Sequence, residues 1–114
     1  MSLTIYHLKT CDTCRKAIKA IKAAGYELSL VDVRTDGVPV DKLHEIASAV
    51  GWEKLLNTRS TTWRGLSEAE KSDMNQAKAL TLMGAHPTLI KRPVIDTGRE
   101  ISVGWTKEAQ ARFS

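Results

Sequence analysis

The first third of the chain predicts a strand, a helix and a second strand in close succession. Residues 3–8 alternate in polarity and are rich in strand formers. From about Thr13 the apolar residues fall at helical spacing until Gly25 stops the run, and a second strand follows at 27–33. Two strands joined by one helix form a right-handed crossover with parallel strands, so the chain begins as an α/β fold.

Helical patterns occupy the middle of the chain. An apolar face at helical spacing predicts a helix over 40–50, and a short helical turn is predicted at 52–56. Residues 57–65 are polar and aperiodic, which predicts a loop. Beyond the loop, Ser67 and Glu70 fit a capping box at the start of another short helix.

The C-terminal part predicts a helix, a hairpin and a closing helix. Residues 75–83 form a helical pattern that Gly84 is expected to end. Residues 94–103 predict a β-hairpin with Gly98 in its turn. Thr106 can cap a last helix.

These elements predict an α/β fold with a mixed four-stranded sheet. The β-α-β unit supplies a parallel pair, and the hairpin with its helix supplies the antiparallel part. This is the thioredoxin-like arrangement with an inserted helical block. At 114 residues the chain is expected to be one domain, 1–114, with the thioredoxin-like part at about 1–35 and 86–114 and the insertion at about 36–85.

Both cysteines of the chain, Cys11 and Cys14, lie where the first strand passes into the first helix. The thiolate is the reactive form of cysteine, and a helix N-terminus favours an anion. Arg15 and Lys16 add positive charge one turn away. We therefore expect Cys11 to have a lowered pKa and to act as the nucleophile, and Cys14 to be within reach to resolve a mixed disulfide.

Two other interpretations of the cysteine pair stay open. A zinc site would take Cys11, Cys14 and His7, but a structural site usually needs four ligands and no convincing fourth is present, so no metal is predicted. Two inert buried thiols are the other interpretation. It is disfavoured because buried structural cysteines avoid charged helix ends.

Arg92 and Pro93 form the second candidate site. In a thioredoxin-like sheet, a proline at the start of the third strand commonly follows a cis peptide bond opposite the cysteine, although cis bonds are a minority of X–Pro bonds. Arg92 could then stabilise the Cys11 thiolate or pair with an oxyanion. An ordinary strand-edge proline beside a surface arginine is the alternative.

The composition indicates the class of protein. The formal charge of +4 weakly favours anionic partners, but no basic stripe interleaved with aromatic residues indicates direct nucleic-acid binding. No apolar run approaches the roughly 20 residues that span a bilayer, so no membrane association is expected. Without a recognisable export signal, the expected location is the cytoplasm, and the expected state is a monomer.

Three blocks of sequence resemble a known family. IYHLKTCDTCRKA, GWEKLLNTRSTTWRGL and HPTLIKRPVI are similar, in this order, to the signature blocks of the arsenate reductase (ArsC) family. The resemblance covers essentially the whole chain and implies a thioredoxin-like fold with a helical insertion. The middle block resembles most the YffB branch of proposed glutathione-dependent thiol reductases. The C-x-x-C resembles the Spx branch of redox-sensing regulators that bind RNA polymerase.

The resemblance also implies roles for individual residues. It makes Cys11 the nucleophile, Arg92 the active-site arginine and Pro93 the cis-proline. Glutaredoxin-linked arsenate reductases carry a third arginine after the hairpin, and here 104–106 holds none. The catalytic residues expected are Cys11, Cys14 and Arg92, and the residues expected to bind substrate are His7, Thr10, Arg15, Asn57, Arg59 and Pro93.

The predicted function is that of a cytosolic thiol–disulfide oxidoreductase that depends on glutathione, with arsenate reduction as a variant using the same nucleophile. No tightly bound cofactor is expected, because glutathione or a small thiol or oxyanion would be the substrate, and glutaredoxin is a further possible partner. The alternative is a redox-switched regulator. In that case a Cys11–Cys14 disulfide would alter the surface that binds a protein such as an RNA polymerase subunit.

Overall fold

A computed structural model describes residues 2–113. Its centre is a four-stranded sheet in the order β2-β1-β3-β4. β1 pairs in parallel with β2 and antiparallel with β3, and β3 pairs antiparallel with β4. The predicted mixed sheet is confirmed. The strands are β1 (Ser2–His7), β2 (Glu27–Asp32), β3 (Val94–Asp96) and β4 (Ile101–Val103).

The helices follow the predicted order. α1 connects the two parallel strands, five helices lie between β2 and the hairpin, and one helix follows the hairpin. A 3₁₀ turn at Pro87–Leu89 leads towards β3. The helices are α1 (Asp12–Ala23), α2 (Val40–Val50), α3 (Trp52–Leu55), α4 (Thr61–Arg64), α5 (Glu68–Lys71), α6 (Gln76–Ala85) and α7 (Lys107–Phe113).

Apolar side chains cover both faces of the sheet. Successive residues of a strand point to opposite faces, so Ile5 and Tyr6 enter different cores. Tyr6 belongs to the core that joins the sheet to α2, α3 and α6. Both side chains are buried, and the two cores fix the sheet between its helices. The core that includes α1 and α7 consists of Leu3, Ile5, Ile21, Ile95, Ala109 and Phe113.

A partly buried ion pair also connects the helical segment to the sheet. Lys42 of α2 donates from Nζ to Asp96 Oδ2 of β3 at 2.5 Å and lies 2.9 Å from Glu45 Oε2. The bond to Asp96 raises the pKa of Lys42 above its usual value. Burial is the largest single influence on Asp96 and acts to raise its pKa, but the hydrogen bonds from Lys42 and from the Gly98 N–H, with the charge of Lys42, together outweigh burial and lower that pKa.

Two local predictions were wrong. The loop predicted at 57–65 contains α4, because the Ser60 hydroxyl accepts a hydrogen bond from the Trp63 N–H at 3.1 Å and caps a helical turn. The helix predicted to end at Gly84 continues through Ala85. A residue before a proline avoids helical backbone, so Pro87 rather than the glycine sets the end of α6.

The other start and stop signals act as predicted. The capping box of Ser67 and Glu70 is present with both of its hydrogen bonds. Gly98 has φ +91° in the hairpin turn, a value that side chains other than glycine rarely adopt. The Thr106 hydroxyl accepts from the Ala109 N–H at 3.1 Å at the start of α7. Over residues 2–113, the helices are all too short or too polar to cross a membrane.

Candidate active site

Cys11 is the N-cap residue of α1. After β1 ends, the Cys11 N–H donates to the Leu8 carbonyl at 2.9 Å and closes a turn. The Cys11 backbone is extended (φ −90°, ψ 114°), and its carbonyl accepts from the Arg15 N–H at 3.1 Å as the helix begins. The side chain is partly exposed. The sulfur therefore lies at the end of the helix where N–H groups lack intrahelical partners.

Cys14 lies on the inner face of α1 and is 0% exposed. Burial, with a further contribution from neighbouring Cys11, raises the pKa of Cys14 to about 12. At neutral pH Cys14 is therefore a thiol. A thiol can donate its S–H to a neighbouring thiolate, so the two cysteines have different roles in one pair.

The pKa of Cys11 is lowered by its neighbours. Burial is the largest single influence and raises it, but the N–H and the thiol of Cys14 and the guanidinium of Arg92 together outweigh burial. A hydrogen bond from the Cys14 N–H is stronger to an ionised sulfur than to a neutral one, as expected for a charge-assisted bond.

Arg92 lies near Cys11 although the two residues are far apart in the sequence. Its Nη1 donates to the carbonyls of Thr88 and Ile90, both at 2.8 Å. Its Nε is buried and has no hydrogen-bond partner among residues 2–113. The Arg92–Pro93 peptide bond is cis. The guanidinium is anchored through one nitrogen and directs positive charge towards Cys11.

The polar segment after α3 is joined to the segment that holds Arg92. The Asn57 N–H donates to the Leu89 carbonyl at 2.7 Å, and the hydroxyls of Thr62 and Thr88 lie 2.7 Å apart. Arg59 donates its N–H to Asn57 Oδ1 at 3.1 Å, and its side chain is exposed. The fold therefore brings the Arg59 loop beside the Arg92 anchor, while Asn57 shapes that loop.

Two predicted site residues lie on the surface of the helix start. Arg15 forms an ion pair with Asp12 at 3.1 Å, and the side chains are 63% and 84% exposed. Such exposed pairs contribute little. Thr10 is exposed in the turn before Cys11. Both can contact a bound molecule, but Arg92 supplies the charge that lowers the pKa of Cys11.

His7 lies beside an aspartate that the sequence analysis did not single out. His7 is 7% exposed and is the register partner of Asp32, which is 4% exposed. The Thr35 N–H, with those of Lys9 and Arg34, outweighs burial and lowers the pKa of Asp32. An aspartate at a strand end before a polar turn is a recognisable signal for this arrangement.

The described residues do not bring together a metal-binding cluster. No group of three or more His, Cys, Asp or Glu side chains within 2–113 could hold a metal ion. A cavity of about 570 Å³ between α2, β4 and α7 is lined by neither cysteine and not by Arg92. The candidate site is thus the surface at the start of α1, where a cysteine of lowered pKa, a buried thiol and a guanidinium meet.

Comparisons with known proteins agree with this architecture. The model of the ArsC family matches residues 6–113. An uncharacterized protein of Haemophilus influenzae is 40% identical over 113 residues, which cover 98% of this chain and 99% of that protein. A solved YffB protein superposes with a TM-score of 0.92 at 35% identity and 97% coverage of each chain.

Two further similarities are to an enzyme-related protein and a regulator. An arsenate reductase related protein from Brucella melitensis is 34% identical with a TM-score of 0.77, covering 99% of this chain and 94% of that one. The global transcriptional regulator Spx of Bacillus subtilis is 25% identical over 97% of this chain and 86% of its own length.

The geometry and the comparisons agree on thiol redox chemistry in a thioredoxin-like fold. The family model spans nearly all of the described residues, and the Haemophilus influenzae relative is similar along its full length. This chain belongs to the ArsC family.

Proposed function

We propose that the protein is a glutathione-dependent thiol reductase with Cys11 as its nucleophile. The observation that carries the proposal is the Cys11 sulfur at the start of α1, where Cys14 and Arg92 lower its pKa. A thiol of this kind is ionised more readily than free cysteine near neutral pH and attacks disulfides faster.

The first step transfers one half of a disulfide to the enzyme. With a glutathione mixed disulfide as substrate, the Cys11 thiolate attacks the glutathione sulfur. A bond forms between Cys11 and glutathione, the substrate S–S bond breaks, and the other thiol leaves as a thiolate that takes a proton from water. The cationic guanidinium of Arg92 can hold a carboxylate of glutathione during this exchange.

The second step favours free glutathione over Cys14. Burial is the main cause of the raised pKa of Cys14, and burial persists when Cys11 is in a mixed disulfide. A buried thiol with a raised pKa is rarely ionised at pH 7, so Cys14 is a slow attacking group in this step. A glutathione thiolate attacks the Cys11-bound glutathione instead, which forms glutathione disulfide and restores the Cys11 thiolate.

Arsenate is the weaker candidate substrate for the same nucleophile. The segment 104–106, between β4 and α7, carries no arginine. Of the three arginines that the resemblance implies for arsenate binding, only Arg92 and, from its exposed loop, Arg59 therefore have counterparts here. We expect chemical-shift changes at 10–15 and at both arginines with glutathione, and none with arsenate, in an NMR titration.

The test of the proposal is turnover of a mixed disulfide between glutathione and a small thiol. Formation of glutathione disulfide is measured with excess glutathione for the wild type, Cys11→Ser and Cys14→Ser. We expect Cys11→Ser to abolish turnover and Cys14→Ser to retain most of it. Turnover that survives Cys11→Ser, or wild-type protein without turnover, rejects the proposal.

A second candidate function is that of a redox-switched regulator. The similarity to Spx over nearly the whole chain favours it, together with the C-x-x-C at the start of α1, where Cys11 is partly exposed. A small disulfide could act as the oxidant: it would be reduced to two thiols while Cys11 and Cys14 form a disulfide bond, and the Cys11 thiolate and the Cys14 S–H donor would both be lost. Stoichiometric binding of the oxidised chain alone to RNA polymerase, without glutathione turnover, would support this candidate over the reductase.

A further inference from the structure

One buried carboxylate outside the cysteine pair holds the turn that carries Cys11. Asp32, the last residue of β2, is 4% exposed. Its Oδ2 accepts from the Lys9 N–H at 3.1 Å, and its Oδ1 accepts from the N–H groups of Arg34 and Thr35, both at 2.9 Å. A single side chain thus joins the end of one strand to the loop that follows another.

The bond to Lys9 falls inside the turn before the nucleophile. The Cys11 N–H donates to the Leu8 carbonyl at 2.9 Å, so Lys9 and Thr10 are the central residues of that turn. If the Lys9 N–H were released, the peptide planes on both sides of it could rotate. The direction of the Cys11 side chain relative to the start of α1 therefore depends on the carboxylate.

The environment of Asp32 favours a fixed carboxylate. A buried charge is costly unless it is paired and hydrogen-bonded, and here three N–H groups satisfy its two oxygens. His7 lies beside it in register and also favours the charged form. The strand contact between His7 and Val33, an N–H to carbonyl bond of 2.8 Å, keeps the two strand ends together.

We propose that Asp32 is a positioning residue that aligns the Cys11 sulfur with the Cys14 N–H and with Arg92. The inference rests on the proposed function only in taking Cys11 as the reactive thiol. Asp32 acts through the backbone of Lys9, not through a bond to the sulfur.

A positioning role and a purely electrostatic role of Asp32 predict opposite changes in the pKa of Cys11 when Asp32 is replaced. A nearby negative charge disfavours a thiolate, so removing it would lower the pKa of Cys11 and speed its alkylation. Loss of alignment would weaken the bonds that the thiolate receives, and it would raise that pKa. The sign of the change separates the two roles.

The experiment follows alkylation of Cys11 by iodoacetamide against pH, with the modified residue identified by mass spectrometry. For Asp32→Ala we expect a raised apparent pKa of Cys11 and an alkylation rate at pH 7 about tenfold lower, as for loss of one hydrogen bond to a charged group. Asp32→Asn keeps one acceptor oxygen, so we expect a smaller change in the same direction.

The matched control is Asp36→Asn. Asp36 lies in the same turn, and its Oδ2 accepts from the Asp32 N–H at 2.9 Å. The substitution removes the same charge but leaves the bond to Lys9 in place. We expect its Cys11 alkylation profile to match that of the wild type, and faster exchange of the Lys9 amide, measured by NMR, only in the Asp32 variants.

An unchanged or lowered pKa of Cys11 in a folded Asp32 variant overturns the inference. If circular dichroism shows that Asp32→Ala does not fold, Asp32→Asn decides by the same measurement. The result is independent of turnover. Wild-type protein that fails to reduce glutathione mixed disulfides, while the Asp32 variants still slow Cys11 alkylation, would reject the proposed function and leave the role of Asp32 standing.

Discussion

Cys11 and Cys14 are neighbours at the start of α1 but differ in acidity because Cys11 is partly exposed and Cys14 is buried. Cys14 points into the protein, where burial penalises its anion. Cys11 is partly exposed and receives the N–H and thiol of Cys14 and the charge of Arg92. Each cysteine thus shifts the pKa of the other, and the partly exposed Cys11 becomes the nucleophile.

Removing the thiol of Cys14 should make Cys11 less reactive even without any role for Cys14 in turnover. For Cys14→Ala we expect the pKa of Cys11 to rise and its alkylation at pH 7 to slow by up to about tenfold, because a donor to the thiolate is lost. Cys14→Ser retains a donor and should slow it less. Equal profiles for the wild type and Cys14→Ala would contradict the assignment.

The charge of Arg92 should lower the pKa of Cys11. Its paired guanidinium N–H donors should contribute to substrate binding. Arg92→Gln removes the charge, so the pKa of Cys11 should rise, as followed by the ultraviolet absorbance of the thiolate. Arg92→Lys keeps the charge but loses paired N–H donors. We expect it to preserve much of the thiolate while raising KM for the glutathione substrate several-fold, a split that a purely structural role would not produce.

At the scale of elements, local signals decide where helices begin. Ser60, Ser67 and Thr106 each accept an N–H from three residues later. In contrast, Cys11 begins α1 without such a bond. The structural caps are hydroxyl groups and, at α6, the Asn75 amide oxygen, which accepts from the Lys78 N–H. The cap residue at the candidate site carries a sulfur instead.

Thr106 offers a test of one structural cap. Thr106→Ala removes the acceptor for the Ala109 N–H, and α7 buries Ala109 and Phe113 against the sheet. We expect the free energy of unfolding to fall by about 1 kcal/mol in urea titrations. Thr81→Ala, which alters an exposed hydroxyl bonded within α6, should change it by less than about 0.5 kcal/mol.

At the scale of the whole molecule, the Lys42–Asp96 pair joins the helical segment to the sheet. Lys42→Met leaves the Asp96 side chain, 12% exposed, without its cation. We expect a loss of about 1–3 kcal/mol of stability near neutral pH. Glu45→Gln, at an exposed carboxylate on the same lysine, should cost less than about 1 kcal/mol.

The same pair gives a pH dependence with a definite sign. The pKa of Asp96 is lower in the folded protein than its ordinary value of 3.8. The contribution of ionised Asp96 to the free energy of unfolding is therefore fully present well above pH 3.8. It is lost as the pH falls through the folded-state pKa. The stability of the wild type should fall as the pH is lowered through this range, and the stability of Lys42→Met should fall less steeply. Identical acid profiles would contradict the assignment.

The sequence by itself determined the element order, the position of the cysteine pair at the start of α1, and most caps and turns. These features are encoded by residues within a few positions of one another, through periodicity, capping and glycine φ preferences. Two local signals were not used in the prediction: the cap at Ser60, where a loop was predicted, and Pro87, which ends α6 beyond the predicted stop at Gly84.

The sequence, through its predicted fold, placed Arg92 near Cys11, but only the tertiary structure decided the other distant contacts around this site. It joins the polar segment 57–62 to the Thr88 segment and places Asp32 on the Lys9 amide. These contacts depend on sheet register and on how two cores close around the strands. Residues far apart in sequence carry no short-range pattern that specifies such a meeting, so the acidity of Cys11 is a property of the fold.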